Sequence, residues 1–155
     1  MSLQIGHPLP NFSMQLTGEQ TSQLSDYQGK NIVLYFYPKD NTPACTQEGQ
    51  DFKAAFADFA ANNCLIFGIS RDSLRCHENF KAKQDFPFAL ISDSDEQLCQ
   101  LFDVIKLKNM YGKQVFGIER STFLIDSQGK LVFEWRKVKV KNHVAEVLKQ
   151  VQNLQ

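Results

Sequence analysis

The chain carries no excess of charge. Seventeen Lys and Arg balance seventeen Asp and Glu over 155 residues. There is therefore no basic footprint for nucleic acid or for an anionic membrane surface. It also lacks any apolar run near the roughly 18–20 residues that span a bilayer. Its start, MSLQIGHPLPNF, has neither the basic opening nor the apolar core of a signal peptide, so a cytoplasmic location is expected. No CxxC pair occurs among Cys45, Cys64, Cys76 and Cys99, and His7, His77 and His143 are scattered. That spacing argues against a structural zinc site, and a reducing cytosol argues against a disulfide framework. No repeat, low-complexity tract or Gly/Ser linker divides the chain, so residues 1–155 read as a single domain.

What is present is core-forming sequence: 43% of residues are hydrophobic and 13 are Phe. Ile32–Tyr37 is a continuous apolar run rich in β-branched and aromatic residues, the pattern of a strand buried on both faces. Phe52, Ala55, Phe56 and Phe59 recur at helical spacing and predict one amphipathic helix from Pro43 to Ala61. A second buried strand is expected over Leu65–Ile69. A helix over Ser73–Lys83 follows it, capped by Asp72 or Ser73. Ala89–Ile91 reads as a short strand, and Leu98, Leu101 and Phe102 mark a short helix. Thr122–Ile125 and Leu131–Trp135 flank the turn Asp126–Gly129 as a hairpin. A helix capped by Asn142 closes the chain over His143–Leu154. Ile5–Leu16 is expected to form an extra N-terminal hairpin, Ile105–Gly117 a loop, and Lys137–Lys141 a strand edge or solvated face. Strands alternating with helices, with one late hairpin, predict an α/β fold of thioredoxin-like layout: a mixed central sheet covered by helices on both faces, with an N-terminal β-hairpin extension.

The segment Pro38-Lys-Asp-Asn-Thr-Pro-Ala-Cys45 carries the chemistry. Proline is favoured at the first helical position, where its missing N–H costs nothing. With Pro43 there, Thr42 is the N-cap and Cys45 lies in the first turn. Unpaired amides and the helix dipole favour a thiolate at that point. Cap chemistry alone is also compatible with an inert, space-filling cysteine.

The wider string decides between them. Pro38-x-x-x-Thr42-x-x-Cys45 resembles the active-site signature of the peroxiredoxins, and Tyr35-Phe-Tyr-Pro-Lys-Asp-Asn-Thr-Pro-Ala-Cys45 is similar to its form in the bacterioferritin-comigratory-protein (PrxQ) branch. Phe67–Ser73, Leu90–Asp93 and Gly117–Asp126 resemble the same branch in order and spacing. The resemblance implies a thiol peroxidase acting on hydrogen peroxide and organic hydroperoxides, with Cys45 as the peroxidatic nucleophile. It makes Thr42 a hydrogen-bond partner of thiolate and peroxide, Pro38 a shield of the site, and Arg120 a cation beside the sulfur. A guanidinium supplies fixed donors and permanent charge where negative charge spreads onto the leaving oxygen. Glu48 reads as a helix-surface carboxylate, with contact to Arg120 as its other reading.

The same resemblance exposes two departures. Members of this branch place a second, resolving cysteine five residues after the first or just after an Asn-Phe pair. Here those positions are Gln50 and Lys81. Cys76 lies on the latter helix, turned roughly 140° and displaced about 7.5 Å from position 81. It is the candidate resolving cysteine only if the helix or the Cys45 loop unwinds, because a disulfide needs Cα atoms within about 7 Å. Cys64 and Cys99 are expected to fill core. The expected cycle uses Cys45 alone, with no metal and no cofactor. The reductant implied by the family is thioredoxin, with glutaredoxin or glutathione as the other route, and a monomer is expected. The competing function is a thioredoxin-fold redox sensor or holdase signalling through oxidised Cys45. A dithiol oxidoreductase is disfavoured, because its chemistry wants CxxC where this chain has Thr-Pro-Ala-Cys.

Overall fold

A computed structural model describes residues 3–154. Asn31–Phe36 (β3) is buried at every position, as its apolar run predicts. It forms the spine of a seven-stranded mixed sheet. Its neighbours are Cys64–Ser70 (β4), parallel on one side, and Ser121–Ile125 (β8), antiparallel on the other. Leu90–Ser92 (β5) extends the sheet beyond β4, and Leu131–Trp135 (β9) beyond β8. Ser13–Leu16 (β1) and Gln20–Gln23 (β2) complete the order β2-β1-β5-β4-β3-β8-β9. The expected N-terminal hairpin therefore exists but lies later in the chain. Before it, Pro8 makes only an isolated bridge to Lys130.

Strand periodicity splits β3 between two cores. Leu34 and Phe36 join Phe102 and Phe123 on one face, together with Leu98 and Cys99 of the short helix Gln97–Leu101 (α4). Val33, Tyr35 and Tyr37 face the other way, toward Pro43–Ala54 (α1), Phe56–Ala61 (α2), Leu74–Gln84 (α3) and His143–Gln152 (α5). Two glycines permit close packing in this second core. A side chain at Gly49 on α1 would collide with the Phe86 ring, and a Cβ at Gly68 would lie 2.7 Å from the Tyr35 ring.

Two expectations are corrected. The single helix over 43–61 is two, because Ala55 leaves helical geometry at φ −96°, ψ 3°. The break turns Phe52 and Phe59 into the same core, 5.8 Å apart. The segment 105–117 is no loop but a separate two-stranded hairpin, Ile105–Met110 (β6) and Lys113–Ile118 (β7). Both turn residues, Tyr111 and Gly112, have positive φ (54° and 80°), the geometry of a tight two-residue hairpin turn. Residues 137–141 form no strand and are exposed or half-buried, which leaves the solvated-face reading. None of the described helices is long and apolar enough to cross a membrane.

Candidate active site

The site lies where β3 runs into α1. Pro43 opens α1 at its first position, which puts Cys45 in the first turn. Phe36 pairs with Ser121, so Arg120 comes alongside the segment that leaves β3. The Arg120 Nη2 donates to Cys45 Sγ at 3.3 Å, and its Nη1 donates to Glu48 Oε1 at 2.6 Å. Cys45 is 2% exposed and Glu48 fully buried. The sequence thus places Cys45 and Arg120, 75 residues apart, in direct contact.

Glu48 corrects the surface reading. One helical turn beyond Cys45, it points inward and fixes the guanidinium by an ion pair whose other oxygen, Oε2, is buried without a hydrogen-bond partner. Burial pushes its carboxyl up to about 7, against the opposing pull of Arg120. Arg120 stays charged, with Glu48 and Cys45 both favouring its cationic form over the cost of burial.

Thr42 occupies the N-cap position of α1 but makes no side-chain cap bond. Its hydroxyl donates to the Lys39 carbonyl at 2.8 Å, which leaves its lone pairs free to accept. Pro38 and Thr42 are half-buried beside the junction. Behind Arg120 lies His143, buried and 2.7 Å from the Thr122 hydroxyl, its basicity lowered to about 4 by burial and by Arg120. It is neutral near pH 7 and adds no second cation. Its sequence position, at the start of α5, gave no hint of this contact.

The other cysteines have different surroundings. Cys64 and Cys99 are buried, and burial pushes the Cys64 thiol up to about 12 and raises Cys99 further. Cys76 is half-buried in the first turn of α3, with Sγ 3.9 Å from Asp72 Oδ1. Burial and the carboxylates of Asp40 and Asp72 push this thiol up to about 11. Burial and two anions together outweigh the partial positive charge that a helix start offers a thiolate.

A buried thiol at a helix start, touched by an arginine that a neighbouring carboxylate holds in place on a thioredoxin-like sheet, is the apparatus of a thiol peroxidase. The chain belongs to the AhpC/TSA family, which matches residues 5–134, and it is a peroxiredoxin. It is 49% identical over 154 residues to Peroxiredoxin Bcp of Bacillus subtilis strain 168, covering 99% of this chain and 98% of that one. It is 55% identical over 135 residues to Peroxiredoxin Bcp of Xanthomonas campestris pv. campestris, covering 87% and 84%. Among solved structures, the bacterioferritin comigratory protein of Xanthomonas campestris superposes with a TM-score of 0.88 at 51% identity, covering 92% and 91%. A cysteine-to-serine mutant of Xylella fastidiosa PrxQ superposes at 0.93 with 47% identity, covering 98% and 97%.

Proposed function

We propose that Cys45 is the peroxidatic nucleophile and that Arg120, Glu48, Thr42 and Pro38 form its working environment. The observation that carries this reading is the Glu48–Arg120–Cys45 chain of contacts, 2.6 and 3.3 Å long. The Cys45 thiolate attacks one peroxide oxygen; an S–O bond forms as the O–O bond breaks, and RO⁻ leaves and takes a proton. Arg120 donates to sulfur in the ground state, and its fixed charge lies where negative charge moves onto the leaving oxygen. Glu48 keeps the guanidinium from swinging away. The Thr42 hydroxyl, already donating to Lys39, is free to accept a hydrogen bond from the peroxide O–H. Pro38 shields one side. Hydrogen peroxide and organic hydroperoxides are the substrates; the Xanthomonas campestris structure is described in terms of alkyl peroxide reduction, which supports the second class.

Oxidation leaves Cys45 as a sulfenic acid, which an external thiol converts to a mixed disulfide with release of water. Thioredoxin is the proposed reductant, with glutaredoxin or glutathione as the alternative route. The raised basicity of Cys76 supports a one-cysteine cycle over internal resolution. We assign the cycle to a monomeric, cytoplasmic, single-domain protein. Mass spectrometry after one equivalent of hydrogen peroxide, without reductant, tests the assignment. The expected product carries a trappable sulfenic acid on Cys45, and Cys45→Ser abolishes both adduct and peroxide consumption. Peroxide consumption that survives in Cys45→Ser, with Cys64 and Cys99 intact, rejects the mechanism.

A further inference from the structure

A second buried polar group lies beside the active-site segment, and the chemistry above does not use it. Asp40 is 3% exposed and His77 fully buried, with Nδ1 of the ring 2.6 Å from Asp40 Oδ2. The other ring nitrogen, Nε2, lies 2.8 Å from the Ile91 carbonyl oxygen. A carbonyl only accepts, so Nε2 carries a hydrogen. If the imidazole were neutral and Asp40 ionised, Nδ1 and Oδ2 would face each other with lone pairs. A proton therefore sits between them, whichever atom holds it more tightly.

Asp40 is fastened on every side. Its Oδ1 accepts from the Tyr37 hydroxyl at 2.7 Å, and its backbone N–H donates to Asp72 Oδ2 at 2.8 Å. Ser70 also donates to Asp72, at 2.5 Å, and the Cys76 thiol faces it from α3. Among the described residues, no Lys or Arg bonds to Asp40 or Asp72. The positive partner available to Asp40 is thus the His77 proton. Asp40 is also the middle residue of Pro38–Thr42, the segment that sets the first turn of α1. Asn41, next to it, turns the chain at φ 65°, a left-handed geometry that asparagine accepts more readily than most non-glycine residues.

We infer that His77 is a positioning residue: the proton it shares with Asp40 fastens segment 38–42 to α3 and so governs how often Cys45 emerges from its pocket. Cys45 is 2% exposed, so a bulky thiol reaches its sulfur only when the first turn of α1 moves. A hydrogen bond to a charged group inside a protein is strong enough that its loss changes such an opening equilibrium about tenfold or more. The inference rests on Cys45 being the reacting thiol, but its test reads accessibility rather than turnover, so the two readings fail separately.

The full chain, reduced, is treated with a bulky maleimide, and labelling of each cysteine is followed by mass spectrometry. The buried Cys64 and Cys99 report global unfolding in the same sample. His77→Gln keeps a donor near the Nε2 position but loses the Asp40 partner, and it is expected to label at Cys45 about tenfold faster with Cys64 and Cys99 unchanged. His77→Asn places an amide donor near the Nδ1 position and is expected to return Cys45 toward the wild-type rate. An unchanged Cys45 rate in His77→Gln overturns the inference, as does acceleration of all three cysteines in step. Should His77→Gln fail to fold, ¹⁵N-edited spectra of the wild type decide. A far-downfield proton on His77 Nδ1 is expected, and its absence overturns the shared proton.

Discussion

Helices α1 and α3 begin alike and end up chemically opposite. Each has a cysteine as its third residue, Cys45 after Pro43-Ala44 and Cys76 after Leu74-Arg75, and each is preceded by a hydroxyl residue at the cap. Ser73 even caps better, accepting from the Cys76 amide at 3.1 Å, while Thr42 turns its hydroxyl to Lys39. If helix ends alone set thiol chemistry, Cys76 would be the more activated of the two. Burial, and then the side chains beyond the helix, set the Cys76 thiol instead. Cys45 meets a guanidinium at 3.3 Å; Cys76 meets the Asp72 carboxylate at 3.9 Å and the field of Asp40. A full charge at contact distance outweighs the half-charge of a helix terminus.

The largest break in this comparison comes from removing the cation. Arg120→Ala should slow oxidation of Cys45 by hydrogen peroxide by ~10²–10³, the usual cost of losing one preorganised donor to a developing oxyanion. Stopped-flow fluorescence or competition kinetics on the folded variant measures it. A rate within a factor of about two of wild type would leave the guanidinium with no catalytic part.

How much of this was legible depends on which force sets each feature. Cys45 at a helix start could be read from Thr42-Pro43 because capping is local. The strands β3, β4 and β8 could be read because burial on both faces writes a continuous apolar run. Arg120 was found through its motif; its contact spans 75 residues, which no local pattern encodes. For Glu48 the contact with Arg120 was legible as one of two readings, but its burial was not, because a carboxylate on a polar-looking helix carries no mark of desolvation and only the tertiary fold buries it. His77 went unassigned for the same reason: its partners come from Asp40 and Ile91 on other elements. The β6–β7 hairpin did have a signal, the alternation Ile105-Lys106-Leu107-Lys108 ahead of Tyr111-Gly112. Its lysines and exposed apolar residues, including fully exposed Tyr111, disguised it as a loop. The break at Ala55 has neither Gly nor Pro to announce it, and packing of Phe52 with Phe59 overrides helical propensity there.

Glu48 sharpens the comparison from the other side, since it is the anion that shares Arg120 with Cys45. Its carboxyl is raised from 4.5 to about 7 in the folded chain, so the folded state holds a proton that the unfolded state releases first. Stability carried by this group is present below pH 4.5 and is lost as pH rises through about 7. The loss amounts to about 3 kcal/mol across that window. Glu48→Gln removes the slope. Relative to wild type it should therefore be more favourable at pH 8 than at pH 5, by about that amount. The opposite slope from His143, whose lowered basicity stabilises the fold above pH 6.5 and is lost toward pH 4, is common to both proteins and cancels. Urea unfolding of both proteins at the two pH values gives the difference, and parallel pH dependences would show that Glu48 is not the buried acid described.

The smallest effect tests whether carboxylates keep Cys76 out of the cycle. With its thiol pushed up to about 11, the thiolate fraction near pH 7 is on the order of 10⁻⁴, too small for efficient attack on a Cys45 sulfenic acid. Asp72→Asn replaces the facing anion by a neutral amide. One amide atom can still accept from Asp40 N–H and Ser70, while the other can donate to sulfur. The Cys76 thiol should fall toward its ordinary value, and a drop of one unit raises its thiolate about tenfold. In a Cys45→Ser background, the iodoacetamide pH profile of Cys76 reads this directly, and a profile that does not move would assign the raised value to burial rather than to charge. With Cys45 restored, peptide mapping after peroxide, without reductant, completes the test. Wild type should retain a sulfenic acid at Cys45 that Cys76→Ser leaves equally trappable, whereas Asp72→Asn should begin to yield a Cys45–Cys76 peptide. A stoichiometric Cys45–Cys76 disulfide already present in wild type would mean that the two helix starts cooperate, with Asp72 accepting the thiol proton as the S–S bond forms.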